Sequence, residues 1–197
     1  MSQFNKQKKA SGFSLIEVMV AILILTIGLM STAMLISRTL TTTDQARKMN
    51  LASLLASEKL EDLNRWPAAD PHVAVPGGGV AGSLVADVTA NVNIGGVITP
   101  VNYFDDILEG QTPGTYSETV SGVDPGTGAV IFTTTTHAPD GTIVTTVSNA
   151  APAAGSFKRR WLIEANQPVA GVRRITVFVT NQDPVRPITF QMTTVRP

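Results

Sequence analysis

Phe13-Ser14-Leu15-Ile16-Glu17-Val18-Met19-Val20-Ala21-Ile22-Leu23-Ile24-Leu25-Thr26-Ile27-Gly28 opens an apolar run that continues to Ile36 and holds one charge, Glu17. At about 1.5 Å per residue the run makes roughly 36 Å of helix, enough to cross a hydrocarbon core of about 30 Å. Lys6, Lys8 and Lys9 precede it and no acidic residue comes before Glu17, so the short N-terminal tail is expected on the cytoplasmic side with the remainder outside. A carboxylate in such a helix costs on the order of 2.5–3.5 kcal/mol on insertion scales and calls for a partner or a function.

A secretory signal has an apolar core of about 7–15 residues and a small-residue cleavage site after it. Ser31-Thr32-Ala33 could imitate such a site, but cutting there would discard Glu17 with the leader. A permanent single-span anchor is the blander reading. The local string argues for more: Gly12-Phe13-Ser14-Leu15-Ile16-Glu17-Val18-Met19-Val20-Ala21 closely resembles the class III leader of type IV pilins and pseudopilins. The resemblance implies a leader of residues 1–12, cleavage between Gly12 and Phe13 by a membrane aspartic peptidase, and N-methylation of Phe13. It also implies that Glu17, one helical turn on, pairs with the N-terminal amine of a neighbouring subunit as an assembly contact. Cutting before the apolar run leaves the whole hydrophobic helix on the mature protein, and a buried carboxylate is tolerated mainly where it meets a positive partner.

The rest of the composition fits one anchor and one modest domain. The chain has 197 residues, is 15% charged and lacks cysteine, which excludes disulfide staples. Many major pilins close a C-terminal loop with a disulfide, so the absence of cysteine points away from the major subunit. Formal charge is zero, with 15 basic and 15 acidic residues. Because Lys6, Lys8 and Lys9 lie in the leader, the processed chain would be mildly acidic, which disfavours a general electrostatic grip on nucleic acid.

Helical periodicity continues past the apolar run. Met49, Ala52, Leu55, Ala56, Leu60 and Leu63 fall on one face, with Asn50, Ser53, Ser57 and Glu61 opposite. Trp66-Pro67 stops the pattern, because the residue before proline is pushed out of the helical region. One helix from Phe13 to about Arg65 is expected, apolar over 13–36 and amphipathic over 37–66. Thr26 to Thr32, with Gly28 among weak helix formers, is where it should loosen when packed in a filament. Glu58, Glu61 and Asp62 are read as a solvated face, not as catalytic groups.

Residues 67–128 form a loop-rich region with short strands, broken by Pro71, Pro76, Gly77-Gly78-Gly79, Gly95-Gly96, Pro113-Gly114 and Pro125-Gly126. Gly77 to Gly79 reads as a flexible linker, since no lysine and following helix complete a phosphate-binding loop. Asn102-Tyr103-Phe104-Asp105-Asp106-Ile107 is the acidic-aromatic cluster here. Asp105, Asp106 and Glu109 are weak calcium candidates, but calcium wants about six to eight oxygens and the spacing lacks an EF-hand's alternation, so turn formation is preferred and no metal is assigned.

Residues 129–197 are the β-sheet region, where Val130–Thr136, Gly141–Val147, Trp161–Glu164, Arg173–Thr180 and Ile188–Thr193 are rich in β-branched and aromatic residues. Four or five antiparallel strands are expected, with Ile175, Val177 and Val179 facing the helix. The fold class is therefore α+β, a long N-terminal helix packed on a four- to five-stranded antiparallel sheet, the type IV pilin fold that the resemblance implies. Phe157-Lys158-Arg159-Arg160-Trp161 and Gly171-Val172-Arg173-Arg174-Ile175 also resemble the closing sheet of PilV-like minor pilins. The two arginine pairs need not form one patch, and solvated edges or pairing with Glu164 or Asp183 are expected of them.

His72 and His137 are the only histidines and read as loop residues. There is no Gly-x-Ser-x-Gly and no His-Glu-x-x-His, so no catalytic residue and no cofactor is assigned. The expected function is that of a non-enzymatic minor type IV pilin that primes or caps assembly. The alternatives are a minor pseudopilin of a type II secretion system and an exported binding or DNA-receptor module on a membrane anchor. The partners implied are other major and minor pilins, the prepilin peptidase, the inner-membrane assembly platform, the inner membrane before assembly and a tip adhesin, with nucleic acid disfavoured. The implied location is the inner membrane, then the surface filament.

Overall fold

The computed structural model describes Gly12, residues 14–110, residues 114–152 and residues 155–197. The chain divides into two compact units, one ending at Gln45 and the other covering Ala46–Pro197. Helix α1 runs from Leu15 to Arg65 and stops at Trp66-Pro67, as the pre-proline restriction requires. From Leu15 to Ile36 the helix is apolar on every side apart from Glu17 and a few hydroxyls, and its side chains stand in the open, Leu15 at 78% and Met30 at 80% of full exposure. The 18-residue window that defines this segment has a mean hydropathy of 2.5.

In the second unit the helix turns amphipathic. Ala52, Leu55, Ala56, Leu60 and Leu63 are buried, at the three- and four-residue spacings of one helix face with Leu55 and Ala56 adjacent, and join one core with sheet residues. Met49, expected on the same stripe, is 41% exposed.

Among the described residues ten strands follow: β1 (Val80–Gly82), β2 (Thr89–Ile94), β3 (Val97–Asn102), β4 (Phe104–Glu109), β5 (Tyr116–Val123), β6 (Val130–His137), β7 (Ile143–Ser148), β8 (Phe157–Ala165), β9 (Arg173–Asn181) and β10 (Thr189–Arg196). Strands β2 and β3 form a hairpin of their own. The others make one antiparallel sheet in the order β10-β9-β8-β4-β5-β6-β7, with β1 pairing Leu162–Glu164 of β8, beyond the residues of β8 that pair with β4. The fold is α+β, a long apolar N-terminal helix whose second part packs on an antiparallel sheet, consistent with the type IV pilin fold.

The strand count corrects the expected four or five. The Pro and Gly punctuation of 67–128 breaks strands without excluding them from the sheet, and β4 and β5 from this region pair into its middle, β4 directly against β8. The β-rich segments Val130–Thr136 and Gly141–Val147 are present as β6 and β7, which pair with each other across Ala138-Pro139-Asp140. Ile175, Val177 and Val179 are all fully buried toward the helix, as their alternation requires.

One local device holds the helix end, and another fixes β1 on the sheet. The Arg196 guanidinium donates from Nη1 to the carbonyls of Leu63 (3.1 Å), Asn64 (3.1 Å) and Trp66 (2.8 Å). These are carbonyls that a helix C-terminus leaves unpaired, and the cation complements the negative end of the dipole. Strand β1 crosses Tyr103 and Trp161 at Gly82, whose φ of 83° and close approach to the Trp161 carbonyl and the Tyr103 ring (2.9 Å) leave no room for a Cβ. Gly82→Ala is expected to lower the unfolding free energy by about 3 kcal/mol, from left-handed strain plus overpacking. An unchanged urea midpoint would contradict this crowding.

Candidate functional site

The first turn of α1 is built on Ser14, whose carbonyl accepts the amides of Glu17 (3.0 Å) and Val18 (3.2 Å). Glu17 is the acidic residue of that turn, where unpaired amides give the helix end a partial positive charge. Its side chain is exposed among exposed Leu15, Ile16 and Val18. Phe13, to which cleavage and methylation are assigned, lies outside the described residues.

The hydroxyls along the apolar run turn inward on the backbone. Thr26 donates to the Leu23 carbonyl (2.8 Å), Ser31 to Ile27 (2.9 Å) and Thr32 to Gly28 (2.9 Å). Back-bonding of this kind satisfies a polar group where no water is available, and lets a threonine-containing helix sit in hydrocarbon. Helix geometry is continuous through Thr26–Thr32.

Within the second unit a polar network ties the helix to the sheet. Asp105 of β4 and Arg159 of β8 are direct cross-strand partners and both are buried. Arg159 donates from Nε to Oδ1 of Asp105 at 3.0 Å and from Nη2 to Oδ2 at 2.8 Å, a two-pronged contact. Its Nη1 donates to the Leu55 carbonyl of the helix at 2.9 Å, and Nη2 also pairs with Glu118. Lys59 reaches Asp105 at 3.3 Å. Glu118 in turn meets Nε2 of His137 at 2.7 Å; the imidazole lies flat on the Tyr116 ring, centroids 4.6 Å apart, and its Nδ1 is 3.4 Å from Glu58. Tyr116 donates its hydroxyl to Glu58.

Several sequence expectations change here. Asp105 and Asp106 lie in a strand and not in a turn, and alternation sends them to opposite faces: Asp105 inward, Asp106 to Lys158 (3.1 Å) on the other face. Glu109 pairs with Arg47. The three calcium candidates thus have separate partners, and among the described residues no three His, Asp or Glu side chains are grouped to hold a metal. Arg159, expected on a solvated edge, is a fully buried side chain. Arg174 does pair with Glu164, at 2.6 and 2.8 Å, whereas Asp183 goes to Lys48 and Arg160 to Asp87. His137 is not a loop residue but the end of β6, and Glu58 is drawn into the network instead of simply facing water. His72 is held in a turn by Asp70 at 2.7 Å and leans on Trp66.

Burial acts to raise the Asp105 carboxyl pKa, but the charges of Arg159 and then Lys59 outweigh it and hold it below the ordinary value. Desolvation at Asp87 is likewise overcome by hydrogen bonds from Lys158 and Arg160, and the Arg174 hydrogen bond lowers Glu164. A carboxylate depressed in the folded state contributes stability that is complete above its unfolded pKa and lost as pH falls through the folded value. The urea midpoint should therefore hold steady down to about pH 4, where unfolded carboxylates begin to protonate, and fall steadily below it. A midpoint independent of pH between 5 and 2, roughly spanning these carboxylates, would sink the assignment.

Residues 7–33 match the family model described as the prokaryotic N-terminal methylation motif. No curated protein and no solved structure matches the chain. The match includes Lys8, Lys9, Gly12, Phe13, Glu17 and the exposed apolar helix as far as Ala33. It supports a type IV pilin or pseudopilin, a structural and not an enzymatic class, and it fits anchoring of the N-terminal helix in a membrane.

Proposed function

We propose that the protein is a minor type IV pilin of the PilV-like branch, processed between Gly12 and Phe13, methylated on Phe13 and built into a pilus whose assembly it primes or caps. The observation that carries this is the conjunction of the methylation motif with a helix whose stretch from Leu15 to Ile36 is apolar apart from Glu17 and a few hydroxyls, and exposed on every side. A helix hydrophobic all round needs a nonaqueous surrounding, first lipid and then the helices of other subunits. Lys6, Lys8 and Lys9 hold the leader on the cytoplasmic side for the prepilin peptidase, and the unit from Ala46 onward stands outside the cytoplasm. Glu17 then offers its carboxylate to the Phe13 amine of a neighbouring pilin at the assembly platform.

The test is the mature N-terminus, read by Edman sequencing and intact mass on protein recovered from membranes. A start at N-methylated Phe13 supports the proposal; an intact leader, or a start beyond Ile36, overturns it. Deletion of the gene then separates the two machines: loss of surface pili with secretion intact supports a pilus subunit, and loss of protein secretion with pili intact supports a pseudopilin.

A further inference from the structure

The large sheet ends at β7, and among the described residues no strand pairs with the far side of it. Such an edge presents a row of main-chain N–H and C=O groups able to take a further strand, and proteins ordinarily blunt it with charge, proline or a bulge. Strand β7, Ile143-Val144-Thr145-Thr146-Val147-Ser148, carries no charged residue and no proline, and its register against β6 runs from Ile143 to Ser148 without a bulge. Every one of its residues is exposed, Ile143 and Val147 both at 62%. The opposite edge, β10, ends on Arg196 and is followed by Pro197.

Alternation decides which main-chain groups of β7 are free. Next to the turn, the Ala138 amide donates to the Thr142 carbonyl at 2.9 Å, which makes these two a hydrogen-bonded pair. Antiparallel ladders alternate bonded and non-bonded pairs along the strands. In the observed register Val144, Thr146 and Ser148 therefore turn their main-chain groups toward β6, and Ile143, Thr145 and Val147 turn theirs to the open edge.

The edge is complementary to itself. Antiparallel pairing with β7 of a second copy, centred on Thr145, sets Thr145 opposite its own counterpart and Ile143 opposite Val147 in both directions. These are the residues whose main-chain groups are free, so each opposed pair exchanges two hydrogen bonds. The same register sets Val144 opposite Thr146, keeps each face of the sheet continuous, covers exposed β-branched side chains with one another and brings no two charges together. A single two-fold axis generates the contact, which closes on two chains.

We propose that β7 is a self-association edge, on which a second copy of this chain adds its own β7 to form one continuous sheet. The contact lies wholly in the unit from Ala46 onward and does not depend on the pilin reading. One strand pair buries less than the roughly 1,200 Å² of a stable complex, so the dimer is a weak one, with a Kd of about 1–100 µM.

Sedimentation equilibrium of the full chain in density-matched detergent micelles, across that concentration range, reads the dimer directly. Thr145→Lys and Thr145→Glu each set like charges opposite one another on the axis and should weaken association about fivefold. An equimolar mixture of these two variants sets opposite charges there instead, and should associate at least about fivefold more tightly than either variant alone. Val147→Pro removes an N–H from the open edge and none from the β6 ladder, so dimerisation should be lost while the urea midpoint stays near wild type. If that variant does not fold, the mixture carries the test. A wild-type chain that stays monomeric throughout would leave the edge to a strand of another protein and overturn the proposal. A dimer indifferent to charge at Thr145, or a mixture no tighter than its components, would place the contact elsewhere in the chain and overturn it equally.

Discussion

Arg159→Met is expected to destabilise the unit from Ala46 onward by about 3–5 kcal/mol, a large share of the total stability of a domain this size. The guanidinium is fully buried, bridges Asp105 to the Leu55 carbonyl, and counters Glu118 at the same time. Its removal leaves the Asp105 carboxylate buried with Lys59 alone at 3.3 Å, and strips a helix carbonyl of its second donor. Methionine fills much of the volume, so the loss reports charge and hydrogen bonding more than a void. The measurement is a urea titration in micelles followed by tryptophan emission. A companion variant, Arg159→Met with Asp105→Leu, removes both members of the pair and should recover at least about 2 kcal/mol of the loss, because an unpaired buried charge costs more than an absent pair. A single variant within about 1 kcal/mol of wild type would remove Arg159 from its assigned place.

Glu17→Ala is expected to leave processing and membrane insertion intact and to cut incorporation into sheared filaments at least about tenfold. The substitution lightens the helix by its one costly group in 13–36, so the membrane-held precursor should be no less stable. On the proposed docking role, what is lost is the counter-charge for a neighbour's Phe13 amine, which would then be buried alone. Glu17→Gln distinguishes charge from hydrogen bonding: it keeps the shape and should fail nearly as badly. Quantitative blotting of filament and membrane fractions reads the result, and normal incorporation of either variant would end the docking role.

Much of the architecture was legible in the sequence because it is written locally. The apolar run, the switch to an amphipathic face at Ala52 and beyond, the Trp66-Pro67 stop and the β6–β7 hairpin each depend on residues a few positions apart. Sheet order did not emerge, since β4 beside β8 joins residues some fifty positions apart and no local pattern encodes that pairing. The buried pair was half visible. Phe157, Arg159, Trp161 and Ile163 alternate on one face of β8, and Tyr103, Asp105 and Ile107 do the same at β4, so period two already set both charged residues among apolar ones. Reading Arg159-Arg160 and Asp105-Asp106 as doublets hid this, because neighbours in a strand belong to opposite sides of it. His137 gave no such signal: its place depends on Glu58 and Glu118, which reach it from the helix and from β5.

Glu58 and Lys59, consecutive on the helix, reach different ends of the same charged chain, one to Tyr116 and His137 and the other to Asp105. The apolar contacts of the helix are made by alanines and leucines, side chains that tolerate a shift of one turn or a modest roll. The charged contacts tolerate neither, since a turn of slip would leave Asp105 and Arg159 facing methyl groups. The helix is thus seated on its sheet like a keyed shaft in a hub: grease lets it fit, and the key allows one angle only.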